Sequence, residues 1–262
     1  MEIPTFDTKK ELFDFLVTNK NKLIAAKKAV IKHADGVVCN APVLASVNKQ
    51  IEDSDELRVK AVINTANFLD SHMDVHIPGL WNKSLSENKN LMHLQEHKMA
   101  FNSIISDGED LKATAESISW KDLGYNWEGK TEALIFDSLI RPDRNKYMHE
   151  QYQKNRVKNH SVGMYYVRLI LAVNDESYGA EFEAWEKYYT EIINPEAANE
   201  KGFFWAVREA KVIEGSAVPI GSNTATPTLE PKLFTQELNN EPPVGTQEFK
   251  QLFRNELKTI FT

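Results

Sequence analysis

A single cysteine, Cys39, stands in a chain of 262 residues. One thiol cannot close an internal disulfide, nor can it supply a cysteine-rich zinc module, so both staples are excluded and a reducing compartment suits the chain. Long apolar runs are also missing. The stretch "VGMYYVRLILAV" is interrupted and falls far below the roughly 20 residues of a membrane-spanning helix. The opening "MEIPTFDTKKELFDFLV" is charged early and offers no apolar core of a secretory leader, so a soluble protein is expected. Positive charge is not in excess: 31 Lys and Arg face 38 Asp and Glu, a net charge of −7, which gives no general attraction to nucleic acid or anionic membrane. No internal repeat is evident. What is present is a hydrophobic content of 42% with 10% aromatics, enough to build a core and to exclude wholesale disorder.

Residues 5–34 read as one helix. Thr8-x-x-Glu11 is a capping-box pattern, and Leu12, Phe13, Leu16, Leu23, Ile24 and Ala26 form a helical stripe that Gly36 ends. The acidic run "EDSDE" then bounds a helical appendage over 1–55, either an amphipathic helix packed on the core or a detachable module. From Leu57 the pattern turns to strands in "LRVKAVINTA", "AFNSII", "LKATAESISW" and "TEALIFDSLI". Between the first two lies a loop in which Pro78-Gly79 leads into a short helix near 80–87. Residues 143–157 are polar and helical, "HSVGMYYVRLILAV" is strand-like, 174–202 is helical, and "FFWAVREAKVIEGSAVPI" is a strand. The expectation is an α+β domain over 56–219. Residues 220–262 read as a linker and an amphipathic helix carrying Phe249, Leu252, Phe253, Leu257 and Ile260.

Two chemistries compete for the histidines. His93-x-x-Glu96-His97 fits the H-x-x-E-H pattern of zinc peptidases, in which two histidines on one helical face grip the metal beside a glutamate base. That reading needs a helix over 91–98 and a third ligand, yet the stretch is short and lies between a loop and a strand. As a strand it puts Leu91, His93, Gln95 and His97 on one face. His72 and His76 repeat the spacing but flank a Pro-Gly turn, where solvated loop residues are expected. The other chemistry uses a histidine as base for a serine nucleophile. Ser161, in "KNHSVGMYYV", opens a very apolar strand, and Gly163 two residues on leaves room for a substrate carbonyl.

Four blocks in order, "NFLDSHMDVHIPGLWNKSL", "LMHLQEH", "NHSVGMYY" and "VREAKVIEGSAVPIGSNTAT", resemble the prohead (capsid maturation) serine proteases of tailed bacteriophages. The matching positions are Asp70, Asp74, Pro78, Gly79, Leu80, Lys83, Ser84 and Leu85, then His97, then Ser161 and Gly163, then Glu214, Ser216, Val218, Pro219 and Asn223. His72-Met73 and Leu80-Trp81 depart from that pattern, the helical stretch 174–202 looks like an insertion in it, and residues 1–55 have no counterpart in it.

The resemblance implies a fold related to the herpesvirus assembly proteases, a β-barrel-like sheet wrapped by helices. It also implies Ser161 as nucleophile, His97 as base and Glu214 as the acid that orients the imidazole, with Glu209 as the alternative acid. Backbone amides near Val162 and Gly163 would serve the oxyanion. His93 is expected on the same strand face as His97, and His160 in packing or the substrate groove. No cofactor and no metal are called for. The partners implied are the major capsid protein and the scaffold as substrates, and the chain itself, with room for a homo-oligomer but no nucleic acid or membrane. The setting is the host cytoplasm, inside the assembling prohead. A non-enzymatic scaffolding protein on the same fold stays open as the alternative.

Overall fold

The computed structural model describes residues 4–31 and 57–229, and the backbone of 232–233. Cys39, the Gly36 stop, the acidic run and the expected carboxy-terminal helix lie outside the described residues. The protein is α+β.

The amino-terminal segment is two helices, not one: α1 (Lys9–Thr18) and α2 (Lys20–Ala29). The capping box forms as the sequence suggests, with Glu11 N–H donating to Thr8 Oγ1 at 3.2 Å and Thr8 N–H to Glu11 Oε2 at 3.1 Å. Asn19 breaks the run. Its backbone leaves the helical region, and its side-chain amide donates to the Phe15 carbonyl at 2.9 Å, the local competition by which Asn interrupts helices. Phe13, Leu16 and Leu23 enter the main hydrophobic core. Lys27 of α2 pairs with Asp74, which has no solvent exposure, and lies 5.5 Å from the Trp205 ring centroid. Tyr166 donates to the second oxygen of Asp74 at 2.9 Å. Removing one member of such a buried pair is far more costly than never having built it, so α2 is tied to the body by a charge as well as by apolar contact.

The strands form two open sheets, and among the described residues no ladder closes them into a barrel. In the first, β1 (Leu57–Thr65), β5 (Leu111–Ser119), β6 (Lys130–Ile140) and the short β9 (Lys232–Leu233) run antiparallel in the order β5-β6-β1-β9. The second is organised by the 16-residue β8 (Phe203–Val218). The 15-residue β7 (Asn159–Val173) lines one edge of it antiparallel. Two short strands share the other edge, both parallel to it: β2 (Asp74–His76) against Trp205–Val207 and β3 (Met92–Gln95) against Glu214–Ala217. Outside β3 lies β4 (Ile104–Asp107).

The core fills the space between the sheets. A Cβ at Gly215 would meet Phe136 at 2.7 Å and Ile63 at 2.9 Å, so the sheets approach closely there. Helix α3 (Asn82–Glu87) packs on β8, α4 (Pro142–Gln153) on β4, and α5 (Gly179–Tyr189) on β7, with α6 (Glu196–Lys201) leading into β8. Pro142 sits at the start of α4, where its missing N–H costs nothing. Among the described residues no helix is long and apolar enough to cross a membrane.

Four histidines are buried, and three of them, His76, His93 and His160, have both ring nitrogens in hydrogen bonds. His160 Nδ1 lies 3.0 Å from the Thr226 carbonyl, an acceptor only, so that nitrogen carries the proton. The direction of a chain of bonds follows: His160 Nε2 accepts from the Tyr152 hydroxyl at 2.9 Å, Tyr152 accepts from His93 Nε2 at 3.1 Å, and His93 Nδ1 accepts from Ser138 at 2.9 Å. Both rings are neutral, with both nitrogens engaged. His76, expected in a solvated loop, is instead buried in β2 between Asn64 at 3.0 Å and Tyr166 at 3.2 Å.

Burial pushes His76 and His160 down to about 4, and pushes His93 well below its ordinary value, with His160 nearby adding to the effect. The unfolded chain takes up these protons near 6.5, so the stability they contribute is present above that pH and is lost as pH falls toward 4. Asp70 is pushed up to about 7 by burial and by Asp74, and works oppositely: it stabilises below the ordinary carboxylate range, and that contribution is lost as pH rises through 7. His76, His93 and His160 together outweigh the one carboxyl. Urea unfolding should give a stability lower at pH 5 than at pH 7.5 by on the order of 3 kcal/mol. A stability unchanged or higher at pH 5 would contradict the buried-neutral assignment.

Candidate active site

Strand β3 stops at Gln95, and the next two residues determine where His97 goes. Glu96 N–H still donates to the Ala217 carbonyl at 3.0 Å, extending the contact with β8. Glu96 (φ 53) and His97 (φ 56) then both adopt the left-handed conformation, and Lys98 N–H closes the turn on the Gln95 carbonyl at 3.1 Å. Two consecutive positive φ values are the signature of a type I′ turn, normally made by Asn-Gly. With side chains at both positions the turn costs about 1–2 kcal/mol per residue. The strain is held by bonds on either side of it.

His97 therefore does not share a strand face with His93. His93 points between the sheets to Ser138 of β6, whereas His97 is turned to the other face of the second sheet. The zinc-peptidase reading needs both on one helix, but 92–95 is a strand. Among the described residues no group of three or more His, Cys, Asp or Glu side chains is placed to hold a metal.

That outer face is built by β7 and β8. Ser161 pairs with Ser216 and Gly163 with Glu214, so the side chains of all four positions leave the same face, those of Ser161 and Ser216 with Cβ atoms about 5 Å apart. The next pair is Met164 with Val212, which leaves Ile213 as an extra residue on β8. This bulge puts Val212 in the core while Glu214 faces outward. His97 Nδ1 lies 2.6 Å from Glu214 Oε1. A carboxylate only accepts, so Nδ1 bears the proton and Nε2 the lone pair. Glu214 has no solvent exposure, Ser161 is 6% exposed, and the His97 side chain is 12% exposed. Glu209, the alternative acid, is engaged elsewhere, by Arg168 at 2.9 Å and Lys83 at 3.6 Å.

Gly163 has a role different from the one expected. A Cβ there would lie 1.9 Å from Glu214 Oε1, so the space beside the glycine is filled by the carboxylate and not by a substrate carbonyl. The two oxyanion candidates also part ways. His160 N–H donates to Thr226, away from β8, at 3.1 Å. Strand alternation then sends the Val162 amide to that outer edge and the Gly163 amide toward β8.

The remaining motif residues brace this arrangement. Ser84 Oγ accepts from Val212 N–H at 2.9 Å, and the Leu80 carbonyl from Ala210 N–H at 3.1 Å, holding β8 just before the bulge. Asp70 Oδ1 takes the amides of His72 at 2.8 Å and Asp74 at 2.9 Å. Asn223 ties its loop to Thr65 and Asn64 of β1. Sequence reading missed three features: Ser216 as a participant, the bulge at Ile213 and the left-handed turn. Ser216 alone had a signal, lying two residues from Glu214 and so on the same face of a strand. A cavity of about 950 Å³ lies between α1, α2, residues 71–73 and the start of β8, and touches none of Ser161, His97 or Glu214.

Compared with protein-family models, with curated proteins and with solved structures, the chain matched nothing in any of the three.

The contact of Gly163 with Glu214 predicts a strong energetic coupling. Gly163→Ala should cost about 1–3 kcal/mol in urea unfolding, as overpacking does, and much of that cost should vanish in a Glu214→Ala background. Strictly additive losses would mean that the carboxylate does not occupy the space beside Gly163.

Proposed function

We propose that this chain is a serine endopeptidase acting in capsid maturation, with Ser161 as nucleophile, His97 as base and Glu214 as the orienting acid. The observation that carries the reading is the 2.6 Å bond from His97 Nδ1 to the buried Glu214 carboxylate, on the face that Ser161 shares. Such a pair holds the imidazole in the tautomer whose Nε2 can take a proton. Backbone strain of the kind that carries His97 to the carboxylate clusters at functional sites.

Ser161 Oγ attacks the scissile carbonyl carbon as its proton passes to His97 Nε2, and Glu214 stabilises the imidazolium. The tetrahedral intermediate collapses, the C–N bond breaks, and the imidazolium gives its proton to the departing amine. Water repeats the cycle on the acyl-enzyme and frees Ser161. The Val162 amide, at the outer edge of β7, is the better placed donor for the oxyanion.

The order of the four sequence blocks supports a relationship to prohead proteases of tailed phages and, through them, to the herpesvirus assembly proteases. On that reading the substrates are scaffold segments, extensions of the major capsid protein and the chain itself. The setting is the assembling prohead in the host cytoplasm.

Intact-mass analysis of the protein co-expressed with its capsid or scaffold protein tests this. Cleavage is expected for wild type, to persist with a strong chelator, and to be lost in Ser161→Ala. Chelator-sensitive cleavage that survives Ser161→Ala would overturn the serine assignment. Absence of cleavage by wild type in a productive assembly reaction would favour a scaffolding protein.

A further inference from the structure

We infer that Ser216 is a positioning residue for the His97–Glu214 pair; the inference rests on the serine-protease reading and deepens it. One hydroxyl joins two elements. Ser216 Oγ donates to Glu214 Oε2 at 2.6 Å and accepts the backbone N–H of His97 at 3.0 Å. The directions are forced, because the carboxylate can only accept and the amide can only donate. Glu214 is thus gripped through both oxygens, by the imidazole on Oε1 and by the hydroxyl on Oε2.

The amide is that of a residue in a left-handed turn, where the backbone is under strain and needs an outside partner. Without the hydroxyl, that N–H loses the acceptor that fixes the turn, and the carboxylate loses the bond that fixes its plane. Both ends of the Nδ1–Oε1 contact would then move. Ser216 itself lies directly across from Ser161 in the β7–β8 register and has no solvent exposure, so it fixes the pair relative to the nucleophile's own strand. It touches no reacting atom. Its effect is on geometry, and it should therefore act on turnover more than on substrate affinity.

Two readouts separate this from a merely structural role. The first needs no activity: the Nδ1 proton of His97, followed in nitrogen-15-labelled protein by NMR. A low-field, slowly exchanging proton is expected in wild type and Ser216→Thr. In Ser216→Ala it should move upfield and exchange faster. The second is acylation by p-nitrophenyl acetate. Ser216→Ala should slow the acylation step about 10–100-fold, the usual scale for an orienting partner, with little change in KM, while Ser216→Thr stays within a few-fold of wild type.

A Ser216→Ala protein matching wild type in both readouts would overturn the inference. Should the alanine variant fail to fold, Ser216→Cys, of similar size but a poor donor, takes its place: an upfield, fast-exchanging proton supports the inference, and wild-type behaviour overturns it. If wild type does not react with the ester, the protease reading fails and the NMR arm alone decides the role of Ser216.

Discussion

A carboxylate without solvent exposure must be paired, and Glu214 dictates much of what surrounds it. One oxygen is held by the His97 ring, the other by the Ser216 hydroxyl, and its flank presses on Gly163. Those contacts come from three directions: the turn after β3, β8 itself and β7. Moving any of them exposes or unpairs the charge, at a cost of several kcal/mol. The bulge at Ile213, which keeps Val212 in the core while Glu214 faces outward, and the left-handed residues Glu96 and His97, which aim the imidazole, are local departures that this single contact stabilises.

The rest of the polar interior follows the same rule at lower stakes. Ser138, His93, Tyr152 and His160 form a chain of neutral hydrogen bonds that ends on the Thr226 carbonyl. It fixes the spacing between β6, β3, α4 and β7 on the side of the sheet opposite the candidate site. Across the molecule, Lys27, Asp74 and Tyr166 bind α2 to β2 and β7. The amino-terminal helices are thereby part of the body and share its core, one of the two arrangements, packed helix or detachable module, that the sequence left open.

Much of this was legible in the chain, for reasons that can be named. Long strands such as β7 and β8 announced themselves by β-branched and aromatic runs, and the capping box at Thr8 and Glu11 is a local device that tertiary context did not disturb. Helix α1 was correctly begun but not correctly ended, because a mid-run Asn breaks a helix by a side-chain bond that periodicity ignores. His93 and His97 were assigned one face because alternation assumes that a strand continues, and nothing in "LQEHK" advertises a left-handed turn. Gly163 was recognised as a place where something must approach closely. What approaches is the side chain of a residue 51 positions away, which only the β7–β8 register could reveal. The barrel-like expectation rested on resemblance alone, and among the described residues the strands form two sheets without a closed barrel.

The most direct test of the central claim is to treat the purified protein with diisopropyl fluorophosphate and map the adduct by peptide mass spectrometry. A nucleophile activated by a paired histidine should react at Ser161, with the other serines unmodified, and the reaction should be abolished in His97→Ala and strongly slowed in Glu214→Gln. An adduct elsewhere, or labelling of Ser161 indifferent to His97, would contradict the assignment of these three residues to one catalytic unit.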